Sequence, residues 1–380
     1  MRRAIIFSIL VFSIMAIVNC SVTSKFGGSP ELAIEPGKIN EGRSWHTATK
    51  LLDERILISG GFGKRFKVLK SVEIYDPVSG EWEVVADMNF PRAEHSAVLL
   101  QDGRILVTGG RDENYAPTFS SEIFDPETGL WEIYEDMARQ RHKHISLVQD
   151  DGSVILVAGS GPSRSLSDVE LIDPINDRLE VLSSTLEEHS DHAAISLKDG
   201  RIFVSGGVRI LDEVVTSVGA EIYDVKTDTW VKTSMQSRRT SAHTLTLLQD
   251  GRVIQIGGFS GGSSDNRVEV YDSETDEWLE GPVMINARML HTASLLNDGR
   301  VIVIGGTSRS GNMSDSEIYD PETRMWMTSG KMLEPRTSHT ATTLQDGKIL
   351  VVGGTNTYSG ICEIYDPENG SWTSSVLSTD

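Results

Sequence analysis

Beyond residue 40 the apolar positions fall in short runs of four to six residues, each closed by Gly, Asp, Asn or Pro, and none carries helical spacing. The stretch from His95 is typical. A β-compatible run reaches Leu100, Asp102-Gly103 interrupts it, and a second run extends from Arg104 to Thr108. A third run carries Glu122 to Asp125, and after Pro126-Glu127-Thr128-Gly129 a fourth surrounds Trp131. This alternation predicts four short antiparallel strands joined by tight turns. Asp-Gly between apolar runs is a strong hairpin signal, and as a two-residue turn it would put both residues at positive φ.

The same unit occurs seven times. A His opens each copy at positions 46, 95, 144, 192, 243, 291 and 339. A glycine pair begins fourteen residues later, as at Gly60-Gly61 and Gly353-Gly354; the third unit reads as fifteen, with Gly159-Ser160. A Glu-x-aromatic-Asp signature follows, and six residues after its Asp stands a Trp, replaced in unit three by Leu179. Asp-Gly recurs in six units; unit one has Asp53-Glu54, which predicts a strained or different turn. A period near 49 built from four strands signals radial repetition, in which each sheet covers the face its neighbour cannot bury alone. Every unit begins with its own His strand and ends with its own Trp strand, so each blade is expected to be contiguous in sequence. Leu32-Ala33-Ile34 also falls in the Trp register and could compete for an outer edge.

The Gly-Gly pair, the aromatic of the Glu-x-aromatic-Asp signature and the following Trp resemble kelch repeats over His46 to Trp372. The resemblance implies an all-β, seven-bladed kelch β-propeller of four-stranded antiparallel blades, with the His strand innermost and the Trp strand outermost. Unit three departs most, with Ser160, Ile172 and Leu179 at signature positions, and its blade should be the least firmly held.

Composition narrows the function. With 55 acidic and 35 basic residues the net charge is −20, which repels nucleic acid and anionic lipid. The first twenty residues stand apart. Arg2 and Arg3 precede an uncharged, largely apolar run from Ala4 to Val18, too short for a membrane span, and Cys20 closes it. That arrangement resembles a bacterial lipoprotein leader, so residues 1–19 are read as a signal peptide and Cys20 as the lipidated residue, despite Asn19 where a small residue is usual. An ordinary signal peptide or an uncleaved anchor is the alternative. Residues 20–40, rich in Gly and Pro, would form a tether reaching about 25 Å, and residues 41–380 the propeller. The other cysteine, Cys362, has no intrachain partner once Cys20 is lipidated, so no disulfide framework is expected.

In such a blade the second-to-third and blade-to-blade connections share one face. Length variation concentrates there, between the glycine pair and the Glu, where eight to thirteen residues intervene. Variable loops on a rigid frame mark a recognition surface. Candidates on it are Lys64, Arg65 and Lys67 in loop one, Arg111 and Tyr115 in loop two, Arg309 in loop six and Tyr358 in loop seven. Loop four, Val208 to Ala220, is unusually apolar, which suits either an extended hairpin packing on its neighbour or a partner contact. Three residues before the His, five units carry Arg43, Arg92, Arg141, Arg288 and Arg336. At the channel mouth these would fit a carboxylate or acidic peptide. Their strict repetition favours instead a pairing with the signature Glu of each blade, because binding sites on pseudo-symmetric rings usually break the repeat.

Within the family that the repeats resemble, copper-radical oxidases need a Cys-Tyr pair, a second Tyr and two His. Only Cys362 is on offer, and His142-x-His144 lacks a third ligand of matching spacing. No His-Glu-x-x-His occurs. The sequence therefore reads as a non-catalytic, monomeric scaffold without cofactor or metal, exported and lipid-anchored at the bacterial outer membrane or cell surface. It would bind a protein or glycan partner and no nucleic acid. The other reading is a sugar-acting enzyme such as a sialic-acid mutarotase, with Arg92 and Glu94, or Arg288, in the channel.

Overall fold

The computed structural model describes residues 36–211, 214–355 and 359–375. Within them seven four-stranded antiparallel sheets follow one another, each built from four consecutive blade strands. Blade two is representative: Ser96–Leu99, Ile105–Thr108, Ser121–Asp125 and Leu130–Tyr134 run from axis to rim. Blades four, five and six add a two-stranded ladder in the connection between second and third strands. The apolar loop four is such an extended hairpin, Val208–Leu211 against Val214–Ser217. The single helical element among the described residues is a 3-10 turn at Lys64–Phe66.

Burial follows from the blade geometry. The second and third strands are buried on both faces because a neighbouring sheet covers each side. The core is accordingly divided into layers between blades. Leu57, Val72 and Ile74 of blade one meet Ala97, Val107 and Phe124 of blade two, and Ile56, Ile58 and Tyr75 meet Leu350, Val352 and Ile364 across the closing seam. Each such side chain, fully buried, contributes about 1.5–3 kcal/mol. At the rim the signature aromatic lies against the Trp of its own blade, as in Tyr75 and Trp82 with ring centroids 5.1 Å apart. The indole N–H then donates to the preceding linker: Trp131 Nε1 to Ala86 O at 2.9 Å, Trp230 Nε1 to Ser183 O at 2.8 Å. Blade three forms with Leu179 in the Trp slot, so it has the apolar contact without that staple.

Three details differ from the sequence reading. The Asp-Gly turns have three-residue loops: Leu100 N donates to Arg104 O, Gly103 N to Leu100 O, and Gly103 alone takes positive φ, at 89°. Unit one makes the same turn with Glu54 forced to φ 73°, the strain its sequence predicts. In unit three the equivalent of the glycine pair is Ala158-Gly159, at φ 50° and 103°, so the fourteen-residue spacing holds in all seven units. Lastly, the propeller begins before residue 41. Gly37 N donates to Gly80 O at 2.7 Å and Trp82 Nε1 to Gly37 O at 2.9 Å, while Ile39 is buried in the seam between blades seven and one. Residues 37–41 thus supply the linker that the other blades receive from their predecessor. The leader, Cys20, Leu32 to Ile34 and most of the tether lie outside the described residues.

Candidate binding face

The repeated polar residues are consumed by the frame. Arg43, Arg92, Arg141, Arg288 and Arg336 are fully buried. Each pairs with its blade's signature Glu: Arg43 with Glu73 at 2.9 Å, Arg92 with Glu122 at 2.7 Å, Arg141 with Glu170, Arg288 with Glu317 at 2.6 Å and Arg336 with Glu363 at 2.8 Å. Nη1 of the same Arg reaches the carbonyls at the base of the variable loop, as Arg92 does to Gly109 O and Ser120 O. The free Glu oxygen takes a linker amide, Asn89 N to Glu122 at 2.6 Å. Arg92, Arg141, Arg288 and Arg336 are therefore staples under the loop face, which corrects their assignment as binding residues. Blade four substitutes His189, whose Nδ1 lies 2.8 Å from Gly206 O. Blade five has Thr240 there, with Gln236 and Gln255 bonded beside it.

The repeated His do not converge either. Five of the seven place Nε2 against a hydroxyl of the preceding blade: His95 with Thr47 at 2.9 Å, His144 with Thr108 at 2.8 Å, His291 with Thr244 at 3.0 Å, His339 with Thr292 at 3.1 Å and His46 with Thr340 at 2.9 Å. For His192 and His243 the matching positions are Ile145 and Ala193, and neither ring nitrogen of either has a hydrogen-bond partner among the described residues. Burial lowers all seven; His95, His243 and His339 come down to about 3. Around the axis the inner strands enclose a cavity of about 830 Å³, lined by small and hydroxyl side chains together with leucines and five of the repeated His. It extends from Gln249, Asn297 and Gln345 on the hairpin face to Trp45, Leu290 and Ser338 on the loop face.

At that second end the repeat breaks down. The residue before each His is Trp45, Glu94, Lys143, Asp191, Ala242, Leu290 or Ser338, and all seven take positive φ between 56° and 65°. Their backbones form an annulus: Glu94 N donates to Trp45 O, Lys143 N to Glu94 O, Leu290 N to Ala242 O and Trp45 N to Ser338 O. Between Lys143 and Asp191 the side chains join instead, Nζ to Oδ1 at 2.6 Å. Buried Glu94 receives Arg111 Nε at 2.7 Å and lies 2.6 Å from His142 Nδ1. Burial opposes its ionisation, but Lys143, His142 and Arg111 outweigh that cost and hold its carboxyl at about 2.

Arg111 carries this cluster to the surface. Its Nη1 donates to Tyr115 O at 2.7 Å, and Tyr115 Oη donates to Phe66 O at 2.8 Å. Tyr115 stacks on Phe62 at 6.0 Å, and Phe62 meets Phe66 edge-on at 6.5 Å. Phe66 and Tyr115 remain 59% and 47% exposed. Lys64, Arg65 and Lys67 are exposed beside them. Arg65, Phe66 and Tyr115 hold φ of 59°, 60° and 61°, a left-handed conformation that costs non-glycine residues about 1–2 kcal/mol each.

Of the residues that the sequence singles out, Lys64, Arg65, Lys67, Arg111 and Tyr115 thus come together. Arg309 is exposed at a separate turn in blade six, and Tyr358 lies outside the described residues. Sequence reasoning passed over Phe62, Phe66, Trp45, Lys143 and Asp191. The signal was there: the position before the His is the one column near the axis whose chemistry changes in every unit. His142 and His144 part, one to Glu94 and the other to Thr108 at 2.8 Å. Among the described residues no three His, Cys, Asp or Glu side chains gather as metal ligands. Cys362 is buried in the closing seam, its thiol pushed up to about 12 by burial.

Comparison with known proteins agrees with this geometry. The model of the KLHDC2/KLHL20/DRC7 Kelch-repeats domain matches residues 192–380, and that of the Kelch motif matches residues 51–89 and 92–138. No curated protein matches the sequence. Among solved structures, a novel fungal alcohol oxidase of the AA5 family in complex with copper superposes with a TM-score of 0.67 at 16% identity. The match covers 83% of this chain and 72% of that one, a likeness of fold alone.

Proposed function

Because this chain belongs to the kelch-repeat family, we propose that it is a non-catalytic scaffold that binds a protein partner through its variable-loop face. One observation carries the reading. The repeated Arg and Glu are spent on the frame, whereas the exposed, strained and non-repeated side chains stand together on the loops of blades one and two. A rigid ring below and an irregular surface above is how recognition is divided from stability. We further propose that Cys20 is lipidated and holds the propeller at the cell envelope, at the outer membrane or cell surface. The leader's short apolar run ending in that Cys supports this.

Site-specific photo-cross-linking tests the surface. With the reactive residue at position 115 or 309, a defined protein adduct is expected; at Leu52 or Gln101 on the opposite face, none. Adducts formed only from the hairpin face would overturn the reading. Acyl-chain mass spectrometry tests the anchor, since Cys20→Ser should remove the lipid mass.

The channel end favours a second reading, a sugar-acting enzyme, because Glu94, Arg111, His142, Lys143 and Asp191 are ionisable and break the repeat. Each already has an ionic partner, and Glu94 Oε1 alone of their carboxylate oxygens is buried with no partner among the described residues. A rate of sialic-acid anomerisation above buffer, followed by NMR, would restore it.

A further inference from the structure

The connections of blades one and two behave as one unit. Gly63 N donates to Lys67 O at 2.8 Å and Phe66 N to Gly63 O at 3.0 Å, which closes the first loop into a tight turn. In the second, Asp112 Oδ1 accepts the amides of Asn114 and Ala116 at 2.8 and 2.9 Å. The two are joined by Tyr115 Oη on Phe66 O, and anchored to the channel annulus through Arg111 on Glu94. Left-handed backbone at Arg65, Phe66 and Tyr115 turns their side chains outward, and such strain persists only where the surroundings impose it. The aromatic pair is thus preorganised, which removes much of the ordering cost of binding.

The charge of this platform opposes that of the molecule. Lys64, Arg65 and Lys67 are exposed within four residues and pair with no acid among the described residues, on a chain of net charge −20. The next cation, Lys70, is already engaged by Asp87 at 3.5 Å. Of the two acids in the Tyr115 loop, Asp112 is turned onto backbone amides and Glu113 is exposed, so the three cations of the first loop outnumber the one open carboxylate of the second.

We propose that this two-loop platform docks an acidic protein segment bearing an aromatic anchor, its carboxylates on Lys64, Arg65 and Lys67 and its ring on Phe66 and Tyr115. The proposal rests on the loop face being the partner surface. A short segment fits better than a membrane or a nucleic acid, because three cations on so acidic a body cannot hold an extended polyanion.

Fluorescence anisotropy with the whole chain tests it. The probe is a fluorescein-labelled decapeptide of Glu and Asp with one central Trp. The comparisons are the same peptide with Gly for Trp, a Lys-based peptide with Trp, and vesicles containing phosphatidylglycerol. Binding of the acidic Trp peptide should weaken at least tenfold from 50 to 300 mM salt and at least tenfold in Lys64→Glu/Arg65→Glu/Lys67→Glu. Phe66→Ala should erase the preference for Trp over Gly while keeping the salt dependence. Equal binding by the triple variant, or vesicles binding more tightly than the peptide, would overturn the proposal. If the peptide fails while cross-links from position 115 still form, the acidic-aromatic chemistry is wrong and the loop-face reading stands; if both fail, both fall. An unchanged circular dichroism spectrum and melting temperature show that the variants fold, as their exposure requires.

Discussion

The guanidinium of Arg92 donates to Glu122 Oε1 from 2.7 Å, and neither side chain has any surface in contact with solvent. Because the same Arg holds two loop-base carbonyls and the same Glu holds a linker amide, removing one partner strands the other. Glu122→Ala should cost about 3–5 kcal/mol in urea denaturation. Lys64→Ala, on the exposed loop, should stay within about 0.5 kcal/mol. A small effect at Glu122 would return Arg92 to the list of surface ligands.

His243 and Ala193 form the converse case. Four blades present a Thr to the next His, but Ala193 offers no hydroxyl, and both nitrogens of His243 lack a partner among the described residues. Thr already occupies the matching place at positions 47, 244, 292 and 340. Ala193→Thr is therefore expected to fit and to stabilise the seam of blades four and five by about 1 kcal/mol. Nitrogen-15 shifts of the His243 ring should move towards those of His291. A loss of stability with unmoved shifts would show that the His–Thr contact is incidental.

The frame was legible in the sequence because it is the repeated part. His, the glycine pair, Glu-x-aromatic-Asp and Trp recur since each blade solves one packing problem seven times. The pairing of the repeated Arg with the signature Glu could also be read, because strict repetition favours a frame contact over a ring at the channel mouth. Spacing cannot distinguish a guanidinium turned under a loop from one turned into solvent. The recognition platform was half legible. Its charges, Lys64, Arg65 and Lys67, stand out against an acidic chain, whereas Phe66 and Tyr115 meet only because two loops lean together. Ala158 misled the spacing for a related reason. Left-handed backbone at that position is imposed by the fold, and an Ala adopts it when its surroundings leave no choice.

The buried His predict how acid acts. In the unfolded chain each titrates near 6.5, whereas in the fold His95, His243 and His339 are held near 3 and His46, His144, His192 and His291 well below 6.5, chiefly by burial. The folded state therefore binds fewer protons than the unfolded one below 6.5. The stability they support is complete well above that pH and is lost as pH falls towards 3, by about 1.4 kcal/mol per pH unit for each His. Glu94, held at about 2, extends the loss below about 4.5. Urea titrations at pH 7.5, 6.5 and 5.5 should show a loss of about 2 kcal/mol over the first step and roughly three times as much over the second. Stability that stays level to pH 5 would mean that the rings are hydrated and already able to protonate. His243→Gln should reduce proton uptake on unfolding by about one.

The seam between blades seven and one is the one place where no chain continues from one blade to the next, so strain there meets the least resistance. Gly353, at φ +66°, lies across it: a Cβ would come 2.2 Å from Arg43 O and 2.6 Å from His46 Cε1. Arg43 is fixed by Glu73 and His46 by Thr340, so neither side can yield without breaking a buried contact. Gly353→Ala is expected to cost more than about 2 kcal/mol, above the usual penalty for a left-handed Ala. Ala158→Gly, the reverse change at the matching position of blade three, should be neutral or stabilising, since it relieves strain between blades that the chain already joins. Hydrogen exchange in Gly353→Ala should show faster exchange at the inner strands Thr340–Thr343 and Thr47–Lys50 than at Ile145–Val148. Uniform loss of protection around the ring would mean that the seam is no weaker than any covalently linked neighbour.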